Sequence, residues 1–316
     1  MAMTRILIAD HLDKEAVAEL QKVPGFEVTE KVGLSEAELV QIIPEYEVVV
    51  VRSATRITRP VIEAGKNLKL IIRAGIGLDN IDVAAAREKG IEVANTPAAT
   101  SISVAEHTLG LMIGAVRHHG PANLSMKQHK WEKKAFMGTE LYGKTLGIIG
   151  FGRIGKEVAK RALAFGMEII AAKRALAFGM EIIAYDVIPI STDLPVKQVS
   201  LDELLQKADI ITLHVPKTPK PLLGEEEFSK MKDGVVIVNV ARGGVVDEKA
   251  LLKALNSGKV KAAALDVFEK EPPEDFSLID HPKVTATPHL GASAEEGQKR
   301  AGMEVVRILK EKFAAG

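Results

Sequence analysis

Short apolar runs alternate with amphipathic stretches along the first third of the chain. The runs have the length and the Ile/Val content of buried strands, and they are Ile6–Ala9, Phe26–Val28, Val48–Val51, Leu68–Ile72 and Ile91–Val93. Helical patterns lie between them, for example from Lys14 to Gln21 and after a Ser35-x-x-Glu38 capping box. This alternation predicts a parallel sheet whose strands are joined by right-handed helical crossovers.

The pattern changes near the middle of the chain. A long Ala-, Leu- and Ile-rich helix is predicted from Ser103 to Arg117, and a polar, basic stretch follows it to Lys134. A second strand series then begins, with strands predicted at Leu146–Ile149, Ile182–Tyr185, Asp209–Val215, Val235–Ala241, Ala262–Val267 and Val284–Ala286. The last helix, Ala294–Phe313, comes after this sheet is complete, so we expect it to cross back to the first domain.

A glycine motif follows the first strand of the second series. Gly150, Gly152 and Gly155 fit G-x-G-x-x-G, and a helical pattern from Lys156 to Phe165 comes next. The first glycine allows a tight turn, the second lets the backbone approach a pyrophosphate, and the third allows close packing of helix and strand. The helix N-terminus offers free N–H groups to the phosphates. The order of strand, glycines and helix therefore predicts a dinucleotide site.

Together these patterns predict an α/β fold with two Rossmann-like or flavodoxin-like domains, each built on a doubly wound parallel sheet. Residues 1–98 and 293–316 are assigned to a discontinuous substrate-binding domain, and residues 99–292 to the nucleotide-binding domain.

A perfect tandem duplication interrupts the second domain, because Ala159–Ala171 is repeated without change as Ala172–Ala184. Asp186 consequently stands 31 positions after Gly155, and removal of one copy makes this 18, near the spacing of about 20 expected for an acidic ribose ligand.

The duplication allows two registers for the strand that follows the helix of the glycine motif. In the favoured one the helix ends at Phe165, residues 166–179 bulge at the sheet edge, Met180–Tyr185 form the strand and Asp186 reads the ribose. In the other, Met167–Ala171 form the strand and Lys173 takes that position, where a cation suits the 2′-phosphate of NADP.

Composition narrows the classes of function. The 316 residues carry no formal net charge and include no cysteine. Disulfides, thiolate nucleophiles and cysteine-ligated metals are therefore excluded, and no basic excess supports nucleic-acid binding. Neither a membrane-spanning apolar run nor a signal-peptide pattern is present, and the histidine spacings support no metal site. We expect a cytoplasmic protein with a small-molecule substrate and no membrane partner.

Three polar residues follow strands of the second series. Arg242, Glu271 and His289 could converge, because ligands bind at the carboxyl ends of parallel strands. A histidine can accept a hydroxyl proton, a glutamate can hold that histidine, and an arginine can grip a carboxylate. Each also has an ordinary structural explanation, as a loop salt bridge, a solvated acid or a structural histidine. His214, which ends another strand, is expected to line the cofactor cleft.

Ordered motifs along essentially the whole chain give it a family resemblance. They are Val51–Thr55, Arg73–Asp82, Ser103–Glu106, Trp131–Gly155, His214–Pro216, Asn239–Asp247, Leu265–Pro272 and Thr287–Ala292. On these motifs the chain resembles the D-isomer-specific 2-hydroxyacid dehydrogenases.

The resemblance implies roles for individual residues. His289 is the general acid/base, Glu271 its partner, and Arg242 binds the substrate carboxylate. Contacts to NAD are implied for Gly150, Gly152, Arg153, Ile154, Gly155, Asp186, His214, Val215, Pro216, Val240, Ala241, Asp266, His289, Gly291 and Ala292. Substrate contacts from the first domain are implied for Arg52, Ser53, Gly75, Ile76 and Gly77.

The implied reaction is hydride transfer from C2 of 3-phospho-D-glycerate to NAD, which yields 3-phosphohydroxypyruvate in the first step of serine synthesis. The resemblance also implies hinge closure of the cleft and a homodimer formed through the nucleotide-binding domain. Longer relatives carry a serine-binding regulatory domain after the last helix, so we expect no serine feedback here. The alternatives are a glyoxylate or hydroxypyruvate reductase of the same family and a non-catalytic, NAD-sensing corepressor-like protein.

Overall fold

The computed structural model of this protein describes residues 3–165 and 182–313. The chain separates into two compact units, one formed by Met1–Ser101 with Ala292–Gly316 and the other by Ile102–Gly291. Each unit is built on a parallel sheet with helices between most successive strands, so the predicted α/β fold with two parallel-sheet domains is confirmed.

The first unit contains a five-stranded sheet among the described residues. Its strands are β1 (Thr4–Ile8), β2 (Phe26–Glu30), β3 (Val48–Val51), β4 (Leu70–Arg73) and β5 (Glu92–Asn95). Its helices are α1 (Lys14–Gln21), α2 (Glu36–Ile42), α3 (Arg59–Ala64) and α4 (Val83–Glu88). The strand order is β2-β1-β3-β4-β5, with every pair parallel. This is the flavodoxin-like order of a doubly wound sheet.

The interior of this sheet explains why its strands could be predicted. All four valines of β3 are buried, as expected for a parallel strand that helices cover on both faces. Asp13 caps α1, and the predicted capping box of Ser35 and Glu38 opens α2. The chain's last helix, α11 (Glu295–Phe313), packs against α1 in this unit, where Gly302 lies against Ala16.

The second unit contains a seven-stranded sheet among the described residues. Its strands are β6 (Leu146–Ile149), β7 (Ile182–Tyr185), β8 (Lys197–Gln198), β9 (Ile210–Leu213), β10 (Val235–Asn239), β11 (Val260–Leu265) and β12 (Val284–Ala286). Its helices are α5 (Ser101–Val116), α6 (His119–Lys127), α7 (Arg153–Ala164), α8 (Leu201–Lys207), α9 (Glu225–Lys230) and α10 (Glu248–Ser257). Helix α5 begins one residue before the boundary of the unit.

The strand order of this sheet is β12-β11-β10-β9-β6-β7-β8. The direction of chain progression reverses at β6, with β7 on one side and β9 on the other. In open parallel sheets a ligand binds at such a switch point, outside the carboxyl ends of the strands.

The duplicated segment is divided between two elements. Residues of its first copy complete α7, which is C-capped by Phe165, and residues of its second copy form β7. Strand β7 pairs with β6 in the register Leu146↔Ile182 to Ile149↔Tyr185. The favoured register is therefore the one observed. The predicted bulge and the rival residues Met167–Ala171 and Lys173 lie outside the described residues.

No described helix is long and apolar enough to cross a membrane. No group of three or more His, Asp and Glu side chains in the described parts of the chain is arranged to hold a metal ion.

Candidate active site

The glycine motif forms a turn that only small residues can occupy. Gly150 has a φ of +92°, and a Cβ there would lie 2.5 Å from the carbonyl oxygen of His214. A Cβ on Gly155 would lie 2.4 Å from the carbonyl oxygen of Gly150. Gly152 differs, because the position of its missing Cβ opens into free space. Side chains are therefore excluded at Gly150 and Gly155, whereas the space beside Gly152 is free.

The free space beside Gly152 lies at the N-terminus of α7. Gly152 is the N-cap residue, and no side chain caps the first turn of this helix. The N–H groups of a helix's first turn have no partners within the helix and attract anions. This arrangement fits the pyrophosphate of a dinucleotide, which would be held by the backbone around Gly152, Arg153 and Ile154.

Asp186 lies at the carboxyl end of β7, beside the glycine turn. Its Oδ2 accepts a hydrogen bond from the N–H of Phe151 (2.8 Å), and its Oδ1 accepts one from the N–H of Ile188 (3.2 Å). Gln198 on β8 donates to the carbonyl oxygens of Asp186 and Ile188. Asp186 is therefore held next to the phosphate turn, in the position where a carboxylate can accept bonds from the adenosine ribose of NAD.

His214 follows β9, and its carbonyl packs against Gly150. Its Nε2 is 3.0 Å from Oγ1 of Thr212, and its buried Nδ1 has no hydrogen-bond partner. Burial lowers the pKa of His214 to about 3, so the imidazole is neutral at physiological pH. An unpaired polar atom beside the glycine turn fits a site whose remaining partner is a ligand.

The three predicted catalytic residues follow neighbouring strands. Strands β10, β11 and β12 are adjacent and parallel, so their carboxyl ends lie side by side. Gly243 shows how closely the first two loops pack, because a Cβ there would lie 1.7 Å from the carbonyl oxygen of Phe268. The sheet thus places Arg242, Glu271 and His289 together at the carboxyl ends of these strands.

His289 and Glu271 form a direct pair. Nδ1 of His289 is 2.7 Å from Oε2 of Glu271, while Oε1 of Glu271 accepts the N–H of Phe268 (3.1 Å). The two side chains remain 47% and 37% exposed, so the imidazole is accessible to a ligand. A carboxylate that accepts from Nδ1 leaves Nε2 as the nitrogen that can exchange a proton with a substrate.

The pair shifts the ionisation of both groups. The hydrogen bond from Glu271 raises the pKa of His289 above its ordinary value, although burial and the Arg242 guanidinium oppose this. Burial opposes ionisation of Glu271, but the bonds from His289 and the Phe268 N–H outweigh it and lower the pKa of the carboxyl. The arrangement favours a charged pair, which suits a histidine that gives up and takes back a proton.

Asp266 joins several predicted cofactor residues at the end of β11. It is completely buried, and its Oδ2 accepts the N–H of Gly291 (2.7 Å). A Cβ on Gly291 would lie 3.0 Å from the side chain of Val240. Val240, Asp266 and Gly291 are therefore in one cluster, next to Ala241. Ala292 is the first residue of the segment assigned to the other unit.

The predicted substrate residues lie in the first unit, on two loops that follow β3 and β4. Buried Asp10 holds the first loop by accepting the N–H groups of Arg52 (2.6 Å) and Thr55 (3.1 Å). Ser53 is exposed on this loop. Burial lowers the pKa of Arg52, and the charge of Asp10 opposes this.

Polar residues at the carboxyl end of β5 hold the second loop. The Nδ2 of Asn95 donates to the carbonyl of Ile76 (2.6 Å), and the N–H of Thr96 donates to that of Gly75 (3.0 Å). Gly75 has a φ of +156°, and a Cβ there would lie 2.0 Å from Nη1 of Arg73. A side chain at Gly75 would therefore require the Arg73 guanidinium to move.

Sequence reasoning missed three residues that hold loops of the candidate site, namely Asp10 and Asn95 in the first unit and His107 in the second. Their partners are 42 positions away for Asp10, 19 for Asn95, and 159 and 180 for His107. Asp10 directly follows the apolar run of β1, and Asn95 ends β5. A polar residue at the carboxyl end of a strand was the available signal for these two. The sequence offered no comparable signal for His107.

Comparison with known proteins identifies the family. A family model described as "D-isomer specific 2-hydroxyacid dehydrogenase, NAD binding domain" matches residues 109–175 and 170–291. This chain belongs to that family. The dehydrogenase therefore has an NAD-binding domain, and the glycine turn, the α7 N-terminus and Asp186 described above fit that cofactor. The two matched segments overlap inside the tandem duplication.

Curated relatives of the dehydrogenase have two kinds of activity in their names. A hydroxypyruvate reductase of Thermotoga maritima is 55% identical and is matched over 98% of this chain and 99% of its own. A D-3-phosphoglycerate dehydrogenase of Methanocaldococcus jannaschii is 50% identical over 98% of this chain, which spans 57% of that relative's length.

Solved structures give the same family. A glyoxylate reductase from Paecilomyes thermophila superposes with a TM-score of 0.87 at 33% identity, covering 99% of this chain and 97% of its own. A D-lactate dehydrogenase from Aquifex aeolicus, complexed with NAD and lactic acid, has a TM-score of 0.81 at 30% identity and covers 97% and 94%. The dehydrogenase thus shares its fold with enzymes that act on small 2-hydroxy or 2-oxo acids.

Proposed function

We propose that this dehydrogenase interconverts a three-carbon D-2-hydroxy acid and its 2-oxo acid, with His289 as the acid/base. The observation that carries the proposal is the 2.7 Å pair of His289 and Glu271 at the sheet edge that also carries Arg242. In oxidation, Nε2 of His289 takes the proton of the C2 hydroxyl as the C2–H bond breaks. NAD, when bound, supplies the acceptor for the hydride.

The other residues would position the substrate. Arg242, whose Nη1 donates to the Ala241 carbonyl (2.7 Å), would bind the substrate carboxylate by charge-assisted hydrogen bonds, and Glu271 would keep the His289 imidazole in one tautomer and orientation. We propose further substrate contacts from Arg52 and Ser53 and from the backbone of residues 75–77. Support comes from a concave surface of about 440 Å³ in the first unit, which Arg52 lines together with the start of α11.

Hydroxypyruvate is the first candidate substrate, reduced by NADH to D-glycerate. The support is the 55% identity to a hydroxypyruvate reductase over nearly the full length of both chains. The second candidate is the reaction predicted from the sequence, oxidation of 3-phospho-D-glycerate in serine synthesis. It is supported by the Methanocaldococcus jannaschii and Archaeoglobus fulgidus relatives at 50% and 47% identity, of which this chain spans 57% and 56%.

The test measures NADH oxidation with hydroxypyruvate, glyoxylate and 3-phosphohydroxypyruvate, and NADH formation from D-glycerate and 3-phospho-D-glycerate. A His289→Ala variant serves as the control. Turnover that falls by about 10²-fold or more in this variant supports the assigned acid/base. The ratio of kcat/KM for the phosphorylated and unphosphorylated pairs decides between the substrates. NADH binding without turnover of any of these acids would overturn the proposal and favour a sensing role.

We also propose that the protein forms a homodimer through its nucleotide-binding unit. The support is a stretch of this unit with large apolar side chains that are more than half exposed, namely Leu124, Met126, Trp131, Met137 and Tyr142. Side chains of this kind gathered in one segment are typical of an association surface. Light scattering should give a dimer for the wild type and a smaller species for Trp131→Asp, and a monomeric wild type would contradict the proposal.

A further inference from the structure

The buried carboxylate of Asp266 is the centre of a hydrogen-bond network in the second unit. Its Oδ1 accepts the hydroxyl of Thr287 (2.6 Å) and the N–H of Leu290 (2.7 Å), and its Oδ2 accepts the N–H of Gly291 (2.7 Å). A further polar atom reaches Oδ1, the Nε2 of His107, at 3.2 Å. Because an ionised carboxylate can only accept, this Nε2 must carry a hydrogen.

The main chain of Asp266 extends the same network. Its carbonyl oxygen accepts the N–H of His289 (2.9 Å). Three consecutive N–H groups, those of residues 289 to 291, therefore end on one residue. His289 itself has a φ of +56°, a left-handed conformation that is unfavourable for a non-glycine residue. The bonds to Asp266 hold the acid/base in this unfavourable backbone conformation.

The same contacts determine the ionisation of Asp266. Burial opposes its ionisation, but the hydrogen bonds from His107, Thr287, Leu290 and Gly291 outweigh burial and lower its pKa. Among these hydrogen bonds, the one from His107 lowers the pKa of Asp266 most. The charges that act on His289 come from Glu271, Asp266 and Arg242.

His107 has no part in the proposed chemistry. It lies on α5, its side chain is 23% exposed, and its Nε2 is also 3.2 Å from Oγ1 of Thr287. It therefore contacts both the carboxylate and the loop that the carboxylate holds. A histidine with only a packing role would need neither contact, and its loss would affect α5 rather than the loop of residues 287–291.

We propose that His107 is a positioning residue for His289. Its Nε2–H fixes the orientation of the Asp266 carboxylate, which in turn holds residues 289–291, so that the His289 imidazole stays within hydrogen-bond distance of Glu271. This role rests on the proposed function of His289 as acid/base, but the loop that His107 supports exists without substrate or cofactor.

The test compares His107→Leu, which removes the donor, with His107→Gln, whose side-chain amide can donate from nearly the same position. Thr108→Val is the matched control, because it removes a different buried hydrogen bond from the same helix, that of the Thr108 hydroxyl to the Val104 carbonyl. The first readout is hydrogen exchange of the amides of residues 287–291 in the protein without ligands. The second is kcat, KM and the pH profile of 2-oxo acid reduction.

We expect faster exchange at Leu290 and Gly291 in His107→Leu, and a kcat about 10-fold to 100-fold lower because the imidazole is misplaced. The pH at which reduction is lost on the alkaline side should fall, because a looser contact with Glu271 lowers the pKa of His289. His107→Gln should restore most of each property, and Thr108→Val should leave the loop amides unchanged.

Unchanged loop exchange in His107→Leu, or equal effects of the Leu and Gln variants, would overturn the positioning role. A wild type that turns over none of the acids would refute the proposed function instead, and the exchange measurement would still decide the role of His107.

Discussion

Two buried aspartates, one in each unit, hold the loops that carry the candidate functional residues. Asp10 follows β1 and accepts the N–H groups of Arg52 and Thr55 together with the Thr55 hydroxyl. Asp266 follows β11 and accepts two N–H groups and the hydroxyl of Thr287. In both units a carboxylate that follows a strand therefore holds a loop by accepting hydrogen bonds from the loop's N–H groups.

The two arrangements differ in what the held loop presents. The Asp10 loop presents Arg52, a permanent cation whose charge is needed only to bind. The Asp266 loop presents His289 in a left-handed conformation, and a second imidazole, that of His107 on α5, contacts the Asp266 carboxylate. A loop that must position a proton donor needs tighter control than one that carries a binding charge, because proton transfer depends on distance and direction.

The strongest test of this comparison replaces each aspartate in a separate variant. Asp266→Asn places an amide NH₂ group opposite hydrogen-bond donors that a carboxylate oxygen accepts in the wild type. Because the loop that carries His289 loses these bonds, we expect kcat to fall by about 10²-fold. Asp10→Asn should instead raise the KM for the 2-oxo acid several-fold and leave kcat nearly unchanged. Steady-state kinetics of both variants, with thermal unfolding as a check on folding, measures the contrast. Equal losses of kcat would mean that the two loops have the same role.

Glu271→Gln tests the pair that the Asp266 loop supports. Glu271 raises the pKa of His289, and reduction requires protonated His289, so wild-type reduction should persist to higher pH. In the variant the pKa of His289 falls, and the alkaline loss of reduction should move to lower pH, with kcat lower by about 10-fold. The pH dependence of kcat/KM measures this. A profile that stays in place would exclude Glu271 as the cause of the shift.

Arg52→Gln tests the binding loop and should have a smaller effect. We expect the KM for the anionic substrate to rise by about 10-fold through loss of charge-assisted bonds, with NADH affinity unchanged. Arg59→Gln is a matched control in the same unit, since Arg59 is ion-paired on the surface with Glu88. A similar rise in KM in the control would point to general electrostatics rather than to Arg52.

The smallest effect is expected from removal of the extra sequence. Deletion of residues 166–178 joins Phe165 to Gly179 and leaves one copy of the duplication. Because α7 uses the first copy and β7 the second, no described element loses a residue. Asp186 should keep its bond to Phe151, so NADH affinity and the preference for NAD should not change. A wild type that prefers NADP, with a deletion variant that prefers NAD, would mean instead that the duplication moves the register to Lys173.

Much of the scaffold could be predicted from local patterns. Strands β3, β6 and β12 and helix α1 have the predicted bounds, because buried parallel strands are short continuous apolar runs and amphipathic helices repeat with a helical period. Strand β8 was missed, since Lys197 and Gln198 are exposed polar residues and their strand conformation depends on pairing with β7.

The residue types of the candidate site were also predictable, but their arrangement was not. Arg242, Glu271 and His289 could be found because each follows a strand that the sequence pattern predicted. The 2.7 Å bond between His289 and Glu271 joins residues 18 positions apart, and His107 is 159 positions from Asp266. No window of local sequence contains such pairs.

The sequence by itself determined the two strand–helix series, the glycine turn and the residue types available at the strand ends. These follow from local chemistry, that is, from hydrophobic period, glycine conformation and capping. Tertiary structure alone decided which copy of the duplicated strand pairs with β6 and which donors surround Asp10 and Asp266. The two copies are identical in local propensity, so only pairing with β6 and the contact of Asp186 with Phe151 distinguish them. A buried carboxylate, likewise, takes its donors from wherever the fold brings them.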